Sequence, residues 1–177
     1  FGTSAHYNEI NGAMAAVRYR QRPMLFTSEE RFIDTGSFSA VGETGIGIEV
    51  AYISGRFHAA AEGFWQTVRR PGTLADPTFF GGYAEVGYFL TRGDTRGYRL
   101  GVFDRVRPAS PLDKGGMGAL QINLRYDHLD LSDGGIRGGT QNGYQISLIW
   151  TPTDYTRLLL NYGRMQYDGA IVPADGG

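Results

Sequence analysis

The sequence predicts an all-β fold, an antiparallel transmembrane β-barrel, on three observations. Segments of ten to fourteen residues alternate apolar and polar side chains between Gly-, Asp- and Pro-rich turns, which is how a two-faced membrane strand reads. The composition, with 27 Gly, 11 Tyr, 10 Phe and no Cys, favours twisted, turn-rich strands over helices. No run approaches the roughly twenty apolar residues that a spanning helix needs, whereas a barrel strand shows only half its residues to lipid. The clearest segment is Met117–Asp130, where Leu120, Ile122, Leu124 and Tyr126 point one way and Gln121, Asn123, Arg125 and Asp127 the other. The apolar set is expected against lipid and the polar set along the channel.

In chain order, Gly12–Gln21 alternates and ends at Pro23, which cannot donate to a ladder. Met24–Phe32 is interrupted by Glu29-Glu30-Arg31 and reads either as a short strand or as a loop folded against the wall. Gly45–Ser54 alternates cleanly, Gly55-Arg56 is a tight turn, and Phe57–Val68 returns. The prolines in 69–78 make a loop, after which Phe80–Thr91 and Arg96–Val106 are expected as an antiparallel pair. A longer loop over 107–116 leads into Met117–Asp130, and 132–140 reads as a Gly-rich loop before Tyr144–Trp150. Pro152-Thr153-Asp154 is a turn, and Thr156–Tyr167 is the last strand. Tyr52, Trp65, Tyr88, Phe89, Trp150 and Tyr167 sit toward strand ends, where amphipathic rings favour a membrane–water interface.

Charge narrows the function classes. A formal net charge of −1 gives no general bias toward nucleic acid or anionic lipid. Lys114 is the one lysine against sixteen arginines; the skew fits bidentate recognition of oxyanions or a general compositional preference for Arg. His6, His58 and His128 lack metal-ligand spacing, so no metal or other cofactor is expected. His128, Asp130 and Ser132 share one strand face, whereas a catalytic triad must converge from different elements, so no enzyme is expected. The Gly clusters lack the Lys-Ser/Thr of a phosphate loop, and Asp127, Asp130 and Asp133 do not follow a calcium loop. Phe1 is not an initiator Met and 168–177 is a Gly/Ala/Pro loop, so residues 1–177 are expected to be one segment of a longer barrel, its N-terminal half and closing strand lying elsewhere.

Five blocks carry a family resemblance: R-Y-R-Q-R-P at Arg18–Pro23, R-F-I-D-T-G at Arg31–Gly36, G-Y-A-E-V-G-Y-F-L-T at Gly82–Thr91, R-Y-D-H-L-D-L-S-D at Arg125–Asp133 and L-N-Y-G-R at Leu160–Arg164. In order and spacing the chain resembles the second half of the phosphate- and polyphosphate-selective porins of the O and P type. The resemblance implies a trimer of sixteen-stranded barrels in the bacterial outer membrane, conducting inorganic phosphate or other small anions passively and contacting outer-membrane lipid. It also implies a constriction of arginines, matched here by Arg18, Arg20 and Arg22. Their spacing of two independently puts them on one strand face, and that face cannot meet lipid, where a midplane Arg costs about 2–4 kcal/mol. Arg31, Arg99, Arg105 and Arg125 are further candidates for lining the pore. The family gathers anions with lysine clusters, which this sequence does not have, and Glu49, Glu62, Glu85 and Asp127 would oppose anions unless paired with Arg99, Arg105, Arg125 or Arg164. A general or sugar-specific porin and a soluble β-sandwich binding module are the alternatives.

Overall fold

The computed structural model describes residues 1–10, 15–24 and 29–169. Seven long strands form one antiparallel sheet: β1 (Gly2–Glu9), β2 (Gly42–Ser54), β3 (Phe57–Arg69), β4 (Thr78–Phe89), β5 (Ala119–Asp133), β6 (Ile136–Thr153) and β7 (Thr156–Asp168). Each strand pairs with the next in the chain, leaving β1 and β7 at the two edges. The meander has a local cause. Gly55 adopts φ +56° in the β2–β3 turn, and Gly134 and Gly135 adopt φ +57° and +84° between β5 and β6. Two successive positive φ values give the mirror-image turn whose twist matches the flanking strands. The Gly-rich stretch expected as a loop therefore continues both strands, with a register shift between Asp130 and Ser132.

Register fixes the faces. Val86 pairs with Leu124, Leu124 with Ile146 and Ile146 with Tyr162, so these residues form one apolar row across four strands. The row is bare: Leu124 is 51% and Tyr162 70% exposed. Tyr52, Trp65, Tyr88 and Trp150 share that face. Phe89 and Tyr167 do not, because strict alternation turns each to the other side, and Phe89 is fully buried there.

The buried residues lie on the polar face, under two excursions of the chain. The described residues of 10–41 fold back on this face, held by two-residue ladders of Ala16–Val17 with Phe38–Ser39 and Arg20–Gln21 with Ile33–Asp34. Ile33, Phe38 and Ala40 pack there against Val68, Phe79 and Leu131 of the wall. The expected strand Gly12–Gln21 is thus part of an arm on the wall rather than a strand in it, although its first residues lie outside the described ones. Of Met24–Phe32, residues 25–28 lie outside the described residues and 29–32 are irregular.

The second excursion spans 90–118. Tyr98–Arg99 pairs only with Val102–Phe103, and Leu100 (φ +51°) and Gly101 (φ +86°) turn the chain between them. The expected strand Arg96–Val106 is therefore a small hairpin over the wall, because the chain turns back on itself after two residues. Val106 packs on Phe89 and Ala119, and Asp94 accepts hydrogen bonds from Thr91 Oγ1 and, at 2.7 Å, from the Ala109 amide. The two excursions leave from opposite rims: 10–41 with the 70–77 loop and the Gly134-Gly135 turn at one, 90–118 with the Gly55-Arg56 and Asp154-Tyr155 turns at the other.

Candidate pore-lining site

Ionic groups on the polar face fall into three zones. In the middle, Arg125 on β5 donates from Nε and Nη2 to Asp127 at 2.7–3.1 Å, approaches Glu85 at 3.9 Å and stacks 3.6 Å from the Tyr83 ring centroid. Tyr83 donates to Glu62 at 2.6 Å, Asn123 to Glu85 at 3.2 Å and Gln145 to Asp127 at 2.9 Å. Strand alternation puts all of these side chains on one face, and cross-strand register brings Arg125 opposite both Glu85 and Gln145. Arg125 is thus neutralised by carboxylates, as one of the expected pairings required. Glu49 stands directly opposite Glu62, a like-charge pair that lowers the potential on this stretch of wall.

At the rim of the first excursion, Arg18 grips Asp34 through Nε, at 2.8 and 3.0 Å, and through Nη2. Asp34 is 5% exposed and also accepts the Gly36 amide at 2.9 Å. The Arg18 hydrogen bonds and charge, with the Gly36 amide, hold its carboxyl below the usual carboxylate range. Tyr19 beside it donates to Glu43, and burial first, then that carboxylate, pushes its hydroxyl up. Arg20, Arg22 and Arg31 line a cavity together with Met24. Arg22 reaches Glu29 at 3.1 Å, and Arg31 donates to the backbone oxygens of Glu29 and Glu30 at 2.8 and 3.1 Å. The arginines expected along one strand face have therefore separated: Arg18 is a clamp, while Arg20 and Arg22 border the cavity.

At the opposite rim, Arg105 meets Arg96 and Arg157 in a cleft floored by Gln121 and Ile149, with Asp154 at its side. None of the three guanidiniums makes an ion pair among the described residues. Burial lowers the pKa of Arg96; the Glu85 carboxylate opposes this, and the nearby Arg157 charge adds to it. Two buried polar atoms here have no partner, Arg96 Nε and Gln121 Oε1, and Gln121 is 3% exposed. Arg99 sits apart on the exposed hairpin. Sequence reasoning missed Arg96 and Arg157 as site residues; the available signal was the odd position of Arg157 on β7, which gives it the parity of the polar face.

This open, two-faced sheet with its interior covered by folded-in loops is matched over residues 3–176 by the family of phosphate-selective porins O and P. The chain belongs to that family. It is 52% identical, over 176 residues and 99% of its length, to an uncharacterized protein of Caulobacter vibrioides, and it spans 35% of that relative. In a porin the polar face lines the channel and the apolar face meets the membrane. Arg164, expected as a possible partner of Glu49, Glu62, Glu85 or Asp127, lies instead on the membrane face, opposite Tyr144. The porin's His128 also lies on that face, bonded through Nδ1 to Asn142 at 2.8 Å, while Ser132 Oγ accepts the Gly139 amide at 3.0 Å.

Proposed function

We propose that the chain forms part of a passive outer-membrane channel that prefers anions, phosphate among them, and needs no cofactor. The observation that carries this reading is the cleft of Arg96, Arg105 and Arg157 on the pore face, three guanidiniums that make no ion pair among the described residues. Gathering like charges is costly unless an anion visits, and planar guanidiniums hold two oxygens of an oxyanion at once. Arg20, Arg22 and Arg31 offer a second cationic zone at the other rim. An anion moves between the two by trading hydration for guanidinium contacts, and the neutralised Arg125 network between them keeps either site from becoming a trap. Arg18 serves this pathway by holding the arm in place, and Arg99 by attracting anions to its rim. The family favours a sixteen-stranded barrel assembled as a homotrimer, with residues 1–177 as one segment of it.

Phosphate block of chloride current through the full-length protein that contains this chain tests the reading. Arg20→Ala should weaken block by about 1–3 kcal/mol, the scale of a charged hydrogen bond. Arg20→Lys should keep anion preference and lose part of the block. Unchanged block in both would remove Arg20 from the pathway. A second reading, a general porin of mixed lumen charge, is favoured by the opposed Glu49 and Glu62; it requires equal permeation of small cations and anions.

A further inference from the structure

Arg164 is misplaced for a channel residue. It projects from the membrane face, two residues past Tyr162 and in the row above the Val86–Leu124–Ile146–Tyr162 band. The row of Arg164 continues through Tyr144 and Tyr126, and the next row reads Gln166, Asn142 and His128. Polarity therefore changes across two rows, from aliphatic to amide and imidazole, and Arg164 marks the change. A cation at the midplane would cost about 2–4 kcal/mol, falling to about 0–1 at the interface, so Arg164 belongs at headgroup depth. Arg164 has no ion pair or hydrogen bond among the described residues, and no carboxylate shares its row. Below it runs a groove floored by Ala84, Val86, Leu124 and Ile146 and ended by Tyr162 and Arg164 itself.

We infer that this groove and Arg164 hold one membrane lipid bearing a phosphate headgroup, with the phosphate on the guanidinium and an acyl chain along the groove. Charge complementarity selects the occupant. A guanidinium forks onto a lipid phosphate while the apolar floor takes the hydrocarbon. A second copy of the chain is a poorer occupant, because the acidic residues of this face nearest to Arg164, Asp130 and Asp168, lie two rows away, and a buried, unpaired Arg would oppose such a contact. Tyr126 is committed to Asn142, to which its hydroxyl donates at 2.7 Å, and its ring lies 5.3 Å from that of Tyr144, so the groove wall is fixed before a lipid arrives. The inference uses the membrane orientation of the family and is independent of anion transport.

Lipid retention by the full-length protein tests it. Delipidated protein in detergent is titrated with phosphatidylglycerol or with a galactosyl diacylglycerol of the same chains, and bound lipid is counted by native mass spectrometry. Phosphatidylglycerol should be retained as a discrete adduct and the galactolipid far less. Arg164→Gln should weaken phosphatidylglycerol retention about tenfold, equivalent to about 1.4 kcal/mol, while leaving the reversal potential of the channel unchanged, which also certifies that the variant folds. Arg164→Lys should recover much of the loss, and Ala84→Trp should weaken both lipids by filling the groove. Equal retention of the two lipids, an undiminished adduct in Arg164→Gln, or competition by millimolar inorganic phosphate would overturn the inference. So would disulfide cross-linking of Arg164→Cys to a second copy in the native membrane.

Discussion

Arg125→Met should destabilise the porin and turn its selectivity toward cations. The native side chain makes three contacts of 2.7–3.1 Å with Asp127, lies 3.9 Å from Glu85 and stacks on Tyr83. Stacking at a partly exposed site is worth about 0.5–1 kcal/mol. The ion pairs, discounted because the Arg125 side chain is 32% exposed, add about 1–2 kcal/mol. The expected loss is thus roughly 1.5–3 kcal/mol, with Met keeping the aliphatic volume. Glu85 and Asp127 would then join Glu49 and Glu62 as unneutralised carboxylates on the pore face. Denaturant unfolding in lipid vesicles, followed by Trp65 and Trp150 fluorescence, measures the first effect, and the reversal potential in a KCl gradient the second. Arg125→Lys should keep the selectivity and lose much of the stability, since the charge stays while the planar stack and fork go. If Arg125→Met unfolds within about 0.5 kcal/mol of the parent and selects ions identically, the network contributes nothing and the reasoning fails.

The Arg18–Asp34 clamp predicts a pH dependence. A carboxyl held below its ordinary value stabilises the fold above its unfolded pKa, about 3.9, and loses that contribution as pH falls through its folded value. Protection of the 10–41 arm from protease should therefore be flat from pH 7 to about 5 and fall at more acid pH, whereas Asp34→Asn should start low and show no such step. Cysteines at Asn123 and Leu124 test the faces: a water-soluble thiol reagent should label Asn123→Cys through the pore and spare Leu124→Cys in membranes, and the reverse would invert the wall. Residues 1–177 alone expose the unpaired edges of β1 and β7, so they should aggregate rather than give channels of uniform conductance, and a single defined conductance from this segment would refute that.

The walls were legible in the sequence because a membrane strand must alternate. Leu124 and Tyr126 against Arg125 and Asp127 could be read directly, as could the Gly55-Arg56 turn. The strand expected at Gly12–Gln21 was misread for the same reason. Val17 and Tyr19 pack on the wall while Ala16, Arg18 and Arg20 are exposed, so an arm lying on a wall shows the period of a strand within one. Alternation tells which way side chains point and not whether a neighbour stands on each side. Gly2–Glu9 carries few apolar residues and gave no signal; its place comes from an eight-residue register with β2. The Arg18–Asp34 clamp, sixteen residues apart in the chain, and the meeting of Arg96 and Arg105 with Arg157 of β7 depend on how both excursions fold back, and such pairings leave no local trace.

The central claim, that unpaired arginines on the pore face give the channel its anion preference, is met most directly by the zero-current potential of the full-length protein across a tenfold KCl gradient. The wild type should reverse toward the chloride equilibrium potential. Arg96→Gln, Arg105→Gln and Arg157→Gln together should move it toward zero or past it to the potassium side, because Glu49 and Glu62 then dominate the wall. A wild type that reverses at the potassium potential, or a triple variant identical to it, would contradict the account.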